Sequence, residues 1–204
     1  MYANYFKRYI DLVLGILLAP VIVIFIFLMF ITVKLDDKGP VFYKSKRLGK
    51  GKKVFSIIKF RSMKIDAPDL RNEDGSTFNS KNDPRITKIG KFIRKTSIDE
   101  LPQVINVIKG DMSFVGPRPD TVEALNIYEG NQVKKLDVRP GITGYNQAYY
   151  RNSISQKEKF QNDIYYVKNI SFLFDMKIIL KTIHSVLNRK NINSEKDGNI
   201  EKGN

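Results

Sequence analysis

Residues 12–33 read "LVLGILLAPVIVIFIFLMFITV", 22 positions without a single charge. At about 1.5 Å of helix rise per residue, that run is long enough to cross a bilayer core of about 30 Å. A cleaved signal peptide has a shorter apolar run followed by a small-residue cleavage site, and neither is found here. Two features argue against a simple span. Pro20 sits near the middle, where it removes a backbone hydrogen bond and crowds the preceding turn. Lys7 and Arg8 precede the run, and Lys34, Lys38 and a dense basic block follow it. The positive-inside rule then places both flanks in the cytoplasm. The expectation is a re-entrant helix that breaks at Ala19 and Pro20 and returns to its entry face. Working outward, residues 1–38 form the membrane element and residues 39–188 a globular domain. Residues 189–204, rich in Asn, Lys, Glu and Gly, read as a disordered tail.

The remaining composition narrows the chemistry. The chain of 204 residues carries a formal net charge of +14. Much of the excess lies between Lys34 and Lys64, where eleven Lys or Arg face two Asp. Such a block seeks a polyanion: nucleic acid, anionic lipid headgroups or a phosphorylated substrate. Having no cysteine excludes disulfides and Cys-containing zinc sites, and His184 is the single histidine. A Ser-His-Asp triad would need His184, and nothing around that residue suggests one.

Local patterns place the elements of an α+β domain, mainly helical with one β-hairpin. "VFYKSKR" and "KVFSIIKF" flank the turn-rich "LGKGK" and read as that hairpin. Residues 65–84 are polar, with Pro68, Gly75 and Pro84, and read as a long loop. "RITKIGKFIRK" is expected to be a short helix with Ile86, Ile89 and Ile93 inward. Asp120 with Glu123 and Ser155 with Glu158 have capping-box spacing, predicting helices to about Leu136 and Lys168. From Phe172 to Leu187 an apolar stripe faces Lys177, Lys181 and Asn188. Such a helix can pack in a core or lie as an amphipathic helix in a membrane interface.

The most unusual stretch is "KTSIDELPQVINVIKGDMSFVGPRP", residues 95–119, with the adjacent acids Asp99 and Glu100. Leu101, Val104, Ile105 and Ile108 recur at helical spacing, and Gly110 is a natural stop. On that wheel Asp99 shares the polar side with Gln103 and Asn106. Ser97 and Glu100 have capping-box spacing, and Asp99 is an alternative N-cap ahead of Pro102. On its own the stretch reads more readily as helix capping than as catalysis.

Two further segments suit phosphate or nucleotide binding. Arg118 stands between two prolines, a rigid turn that would hold a guanidinium for bidentate contact with phosphate. "VRPGITGYNQAYYRN" combines Arg139, two glycines, Arg151 and three tyrosines, Tyr145, Tyr149 and Tyr150. Those rings can line a base or sugar pocket or simply pack the loop. Carboxylates, arginines and a membrane element together suggest chemistry on a charged substrate at a membrane surface. The competing reading is a membrane-bound protein that binds anionic lipid or nucleic acid without catalysis.

"FKRYIDLVLGILLAPVIV", "KFRSMK", the long central block, "VRPGITGYNQ" and "DIYYVKNISFLFDMKI" together resemble the bacterial sugar transferases. The likeness is to the small monotopic phosphoglycosyl transferases and runs from Phe6 to about Leu187. It implies transfer of a sugar 1-phosphate from a nucleotide diphosphate sugar, usually a UDP-sugar, to undecaprenyl phosphate, with release of UMP. It also implies a re-entrant anchor on the cytoplasmic face of the bacterial inner membrane. Asp99 and Glu100 match the family's catalytic dyad, with Asp99 the nucleophile and the ligand of a Mg²⁺ ion. Arg118 and Arg94 match arginines of the family, and the resemblance implies that these two, with Lys59 and Arg61 of "KFRSM", hold phosphate. The implied partners are the nucleotide sugar, the lipid carrier and membrane lipids; nucleic acid is not among them, and a homo-oligomer is left open. In relatives the helix break often reads Ser-Pro instead of Ala-Pro, and "GWAQVNGRN" often stands where this chain has "GYNQAYYRN".

Overall fold

A computed structural model describes residues 2–68, 70, 83–150 and 153–188. Most of the polar loop at 65–84, Arg151 and the tail at 189–204 lie outside the described residues. After a helical turn at Tyr2–Phe6, helix α1 runs Lys7–Asp37 with Pro20 inside it. Its 18-residue core reaches a mean hydropathy of 3.2, long and apolar enough to cross a membrane. Lys38 ends it in the left-handed region, with φ 58°. Asp11, Gly15, Ile22, Met29 and Val33 are buried, a stripe spaced by one or two helical turns that keeps to one side of the helix. The other faces expose Ile16, Leu17, Val23, Ile24, Phe27 and their neighbours. The helix continues on both sides of Ala19 and Pro20, and Pro20 itself is exposed.

Both ends of α1 are tied to the same folded domain. Near the start, Arg8 donates to the carbonyls of Val107 at 2.6 Å and Ile108 at 2.9 Å. Asp11 accepts from Ser113 Oγ and the Phe114 amide, and Lys7 pairs with Asp175. Near the finish, Met29 and Val33 share a core with Val41, Phe60 and Ile93. Asp36 accepts from the Ile89 amide, helping Thr87 to cap the next helix.

The hairpin forms as its alternation predicts. Strands β1 (Phe42–Leu48) and β2 (Val54–Phe60) pair antiparallel from Phe42 opposite Phe60 to Leu48 opposite Val54, joined by a 3₁₀ turn at Lys50–Lys52. Helix α2 (Lys88–Lys95) buries Ile93 and partly buries Ile89. Ile86 instead precedes it, in a β-bridge to Met63. Helix α3 (Gln103–Lys109) ends at Gly110 with φ 90°, the left-handed stop its sequence requires.

One face of α3 differs from the helical-wheel reading. Gln103 and Asn106 are buried rather than turned to solvent with Asp99. Asn106 accepts from the Ile58 amide at 3.0 Å and donates to the Ser56 carbonyl at 2.8 Å. It completes backbone hydrogen bonds of β2 that would otherwise be unmade in the core. A buried asparagine is tolerated because the exposed edge of a strand needs such a partner.

Strands β3 (Ser113–Val115) and β4 (Gly141–Thr143) form a parallel pair. The helix expected from Asp120 to about Leu136 is instead two 3₁₀ segments, Val122–Asn126 and Gly130–Asp137. The second is boxed by Glu129 and Gln132, while Asp120 accepts from Tyr128 and Lys135 and is not free to cap. Short helix α4 (Tyr145–Tyr149), α5 (Gln156–Lys168) and α6 (Phe172–Leu187) complete the domain. Ser155 and Glu158 close the capping box predicted for α5. On α6, Asp175, Ile178 and Ser185 are buried, whereas Phe172, Leu173, Leu180, Ile183 and Leu187 are exposed.

Candidate active site

The site starts from a turn that the capping pattern misjudges. Ser97 adopts φ 58°, the left-handed region rare for a residue with a side chain, and Ile98–Glu100 form one 3₁₀ turn. Pro102, not Asp99 or Ser97, occupies the N-cap of α3, and Ser97 makes no side-chain cap. The two acids are therefore displaced from α3 by a turn and are not used to start it.

Glu100 is instead drawn into a charge cluster. Its Oε1 accepts from Lys59 Nζ at 2.6 Å and from Arg118 Nη1 at 3.3 Å. Lys59 projects from β2, opposite Tyr43 in the hairpin, and Arg118 from the turn that follows β3. Burial alone would raise the Glu100 carboxyl, but Lys59 and Arg118 outweigh it and hold it at about 2. Glu100 in turn raises the Arg118 guanidinium still further. Asp99 behaves oppositely. Burial pushes its carboxyl up to about 6, the charge of Glu100 adds to the rise, and Lys59, Arg94 and Arg118 oppose it. Among the described residues nothing donates a hydrogen bond to Asp99. Arg94, at the end of α2, has a buried Nη1 with no hydrogen-bond partner among them. The cluster thus offers an uncommitted carboxylate and, within electrostatic reach of it, an unsatisfied guanidinium donor.

Close backbone approach sets the position of Arg118. The Gly116 amide donates to Thr143 O and the Gly141 amide to Pro117 O, each at 2.9 Å. A Cβ on Gly141 would stand 2.1 Å from the Gly116 nitrogen, and one on Gly144 would stand 2.1 Å from the Gly116 oxygen. Only side chains without a Cβ let the "GPRP" and "GITG" segments lie this close. Beyond the turn, Asp120 gives its carbonyl to the Leu48 amide and its carboxylate to buried Lys135 at 2.7 Å. Lys135 also meets Asp163 at 2.7 Å, and Asp163 accepts from Asn146. Sequence reasoning missed Lys135 and Asp163, and set Asn106 on the polar side of its helix, because polar residues inside a core carry no periodic signal.

Among the described residues, the other candidates bond to backbone carbonyls or pack against other rings. Arg61 is buried and donates to the carbonyls of Pro40 at 2.6 Å and Met63 at 3.0 Å, bracing the exit from α1. Arg139 donates to Gly110 O at 2.9 Å, beside the end of α3. Tyr145 packs against Tyr149, Tyr150, Tyr165 and Phe174, so of its two readings the loop-packing one describes its contacts. Arg151 lies outside the described residues.

The donor set can be tested against Mg²⁺, which takes one or two carboxylates and completes its shell with water and phosphate oxygens. Asp99 has oxygens to give. Among the described residues no group of three His, Cys, Asp or Glu forms a closed metal cage. The unbonded Asp99 carboxylate fits the protein's share of such a shell.

A family model described as bacterial sugar transferase matches residues 2–189. The chain belongs to the bacterial sugar transferase family. The match takes in α1 and every residue of the Asp99 cluster. This family member is 41% identical over 192 residues to the galactosyl transferase CpsE of Streptococcus agalactiae, covering 89% of this chain and 42% of that protein. It is 42% identical over 181 residues to the uncharacterized sugar transferase EpsL of Bacillus subtilis, covering 89% of this chain and 87% of that protein. It is 39% identical over 199 residues to the undecaprenyl-phosphate galactose phosphotransferase of Salmonella typhimurium, covering 92% and 41%. The chain thus spans about two fifths of the Streptococcus and Salmonella sugar transferases and most of the Bacillus one.

Proposed function

We propose that this chain is a phosphoglycosyl transferase that moves a sugar 1-phosphate from a UDP-sugar to undecaprenyl phosphate and releases UMP. The observation that carries the reading is the division of labour in the dyad. Glu100 is locked by Lys59 and Arg118, while its neighbour Asp99 is left unbonded among three cations. The Salmonella relative is named for galactose phosphate transfer to undecaprenyl phosphate.

In the first step an Asp99 carboxylate oxygen attacks the sugar-proximal phosphorus. The new O–P bond forms as the phosphoanhydride bond breaks, and its electron pair leaves with UMP. Lys59, Arg94 and Arg118 oppose the rise that burial gives the Asp99 carboxyl and favour its ionised, nucleophilic form. Arg118 and Arg94 supply guanidinium donors for the diphosphate oxygens, offsetting repulsion between the anionic nucleophile and an anionic substrate. Lys59 and Arg118 keep Glu100 ionised and oriented beside the nucleophile. In the second step a phosphate oxygen of undecaprenyl phosphate attacks the same phosphorus, and Asp99 departs as the carboxylate. Mg²⁺ held by Asp99 and substrate phosphates would supply further charge neutralisation.

The proposal includes the membrane geometry. Lys7, Arg8 and Asp11 bond to the same domain as Asp36. A spanning helix would separate those groups by a hydrocarbon core of about 30 Å, so their shared domain supports a re-entrant helix bent near Ala19 and Pro20. The basic flanks support a domain on the cytoplasmic face of the inner membrane. The exposed apolar side of α6 adjoins the start of α1 through the Tyr2–Phe172 ring contact, which favours an interfacial helix over a core one. The reading is tested by incubating the full chain with a panel of UDP-sugars and undecaprenyl phosphate. UMP release and a polyprenyl diphosphate sugar are expected, both lost in excess chelator and restored by Mg²⁺. Binding without turnover across the panel would contradict the proposal.

A further inference from the structure

We infer that the tip of the hairpin, Lys50, Lys52 and Lys53, is a binding site for anionic phospholipid headgroups beside the entry point of α1. The inference rests on the reading that α1 inserts into a membrane, and it names the lipid class that the folded domain engages.

Three observations set the depth of the tip. The uncharged run begins at Leu12, so the residues just before it belong at the headgroup level. Tyr5, Phe6 and Tyr9 there are exposed, as expected for aromatic side chains at a membrane–water boundary. A small cavity is lined jointly by Ala3, Lys7 and Asp11 from that end and by Lys50 from the tip. Folding therefore brings residue 50 next to the start of α1, a juxtaposition no sequence spacing shows.

The tip itself is built to present charge. Gly51 and Lys52 have φ of 64° and 65°, and the Gly49 amide donates to Lys53 O at 2.8 Å, closing a tight turn. Lys50, Lys52 and Lys53 are all exposed, as is Val54 beside them. None of the three lysines forms an ion pair among the described residues. Other charges nearby are committed or opposed: Arg8 and Arg139 bond to backbone carbonyls, Lys7 to Asp175, and Asp111 and Asp137 border the cavities at the tip. Lys50, Lys52 and Lys53 with Lys7, Arg8 and Arg139, against Asp11, Asp111, Asp137 and Asp175, leave a positive tip at headgroup depth. The phosphates of an anionic leaflet complement it.

The test uses the full chain reconstituted in phosphatidylcholine vesicles with or without phosphatidylglycerol. Flotation with pure phosphatidylcholine reports insertion of α1 alone. Native mass spectrometry after mild extraction from the mixed vesicles then counts the two lipids retained. Wild type is expected to float in both cases and to retain phosphatidylglycerol in preference. The variant K50Q/K52Q/K53Q should float equally, with its phosphatidylglycerol preference reduced by up to about fivefold for each lysine removed. The control K91Q/K157Q/K168Q removes three other exposed lysines and should keep that preference. An unchanged preference in the tip variant, or an equal loss in the control, overturns the site. Tip-dependent binding of a labelled oligonucleotide without lipid preference would overturn it in favour of nucleic acid. Wild type that fails to float with phosphatidylcholine overturns the membrane reading and the inference together.

Discussion

Asp99 and Glu100 are adjacent in sequence and opposite in behaviour, because one reaches Lys59 and Arg118 and the other does not. Arg118 spans the two, bonding to Glu100 and lowering the cost of charge on Asp99. Replacing it by lysine preserves that charge but removes the planar fork. Arg118→Lys is expected to cut turnover about ten- to a hundredfold with little change in stability, measured by UMP release alongside thermal unfolding. Turnover near wild type would leave Arg118 only a structural role. Asn106 shows the same logic inside the core. Asn106→Leu leaves the Ile58 amide and the Ser56 carbonyl without their partner, at about 1–3 kcal/mol each. A fall of several degrees in unfolding temperature is expected, against little change for exposed Lys109→Ala. The wheel that grouped Asn106 with solvent-facing residues had no way to register a partner from β2, fifty positions upstream.

At the scale of elements, what could be read from sequence is what depends on local pattern. The hairpin, α5 with its Ser155–Glu158 box and the apolar stripe of α6 all formed as their spacing suggests. The Asp120–Glu123 box did not, because Asp120 is claimed by Lys135 and Tyr128 from a later segment. Strands β3 and β4 were not anticipated, since three residues are too few for an alternation to show. Yet these strands set the Arg118 turn, through glycines spaced for contact and not for turning. Gly144 has φ −168°, which any residue adopts, so only the approach of Gly116 requires it to lack a side chain. Gly144→Ala should therefore destabilise the fold by about 1–3 kcal/mol through overpacking. It should also lower activity further than that loss explains, because the Arg118 turn must shift. Unfolding and turnover measured on the same sample separate the two effects, and an unperturbed variant would contradict the close approach.

For the whole molecule, a long apolar helix is clamped to its domain at both ends. Sequence supplied the apolar run, Pro20 and the basic flanks, whereas the clamp by Arg8, Asp11 and Asp36 is visible only in three dimensions. Tyr5→Cys, before the helix, and Lys157→Cys, on α5, should both resist a membrane-impermeant thiol reagent in intact cells and both react after permeabilisation. Labelling of Tyr5→Cys alone from outside would establish a spanning helix and contradict the shared domain.

The central claim is that Asp99 forms a covalent bond to phosphorus, and it is tested by withholding the acceptor. The full chain is mixed with a UDP-sugar labelled in its sugar-proximal phosphate, without undecaprenyl phosphate, and the protein is examined for label. Wild type is expected to trap phosphosugar on Asp99 and to release UMP in roughly equal amount, the burst of covalent catalysis. Asp99→Asn, which would serve a cap about as well as aspartate, should show neither label nor release. Glu100→Gln should slow the labelling. Unlabelled wild-type protein, with UMP release strictly dependent on the acceptor, would contradict the account and point to direct displacement.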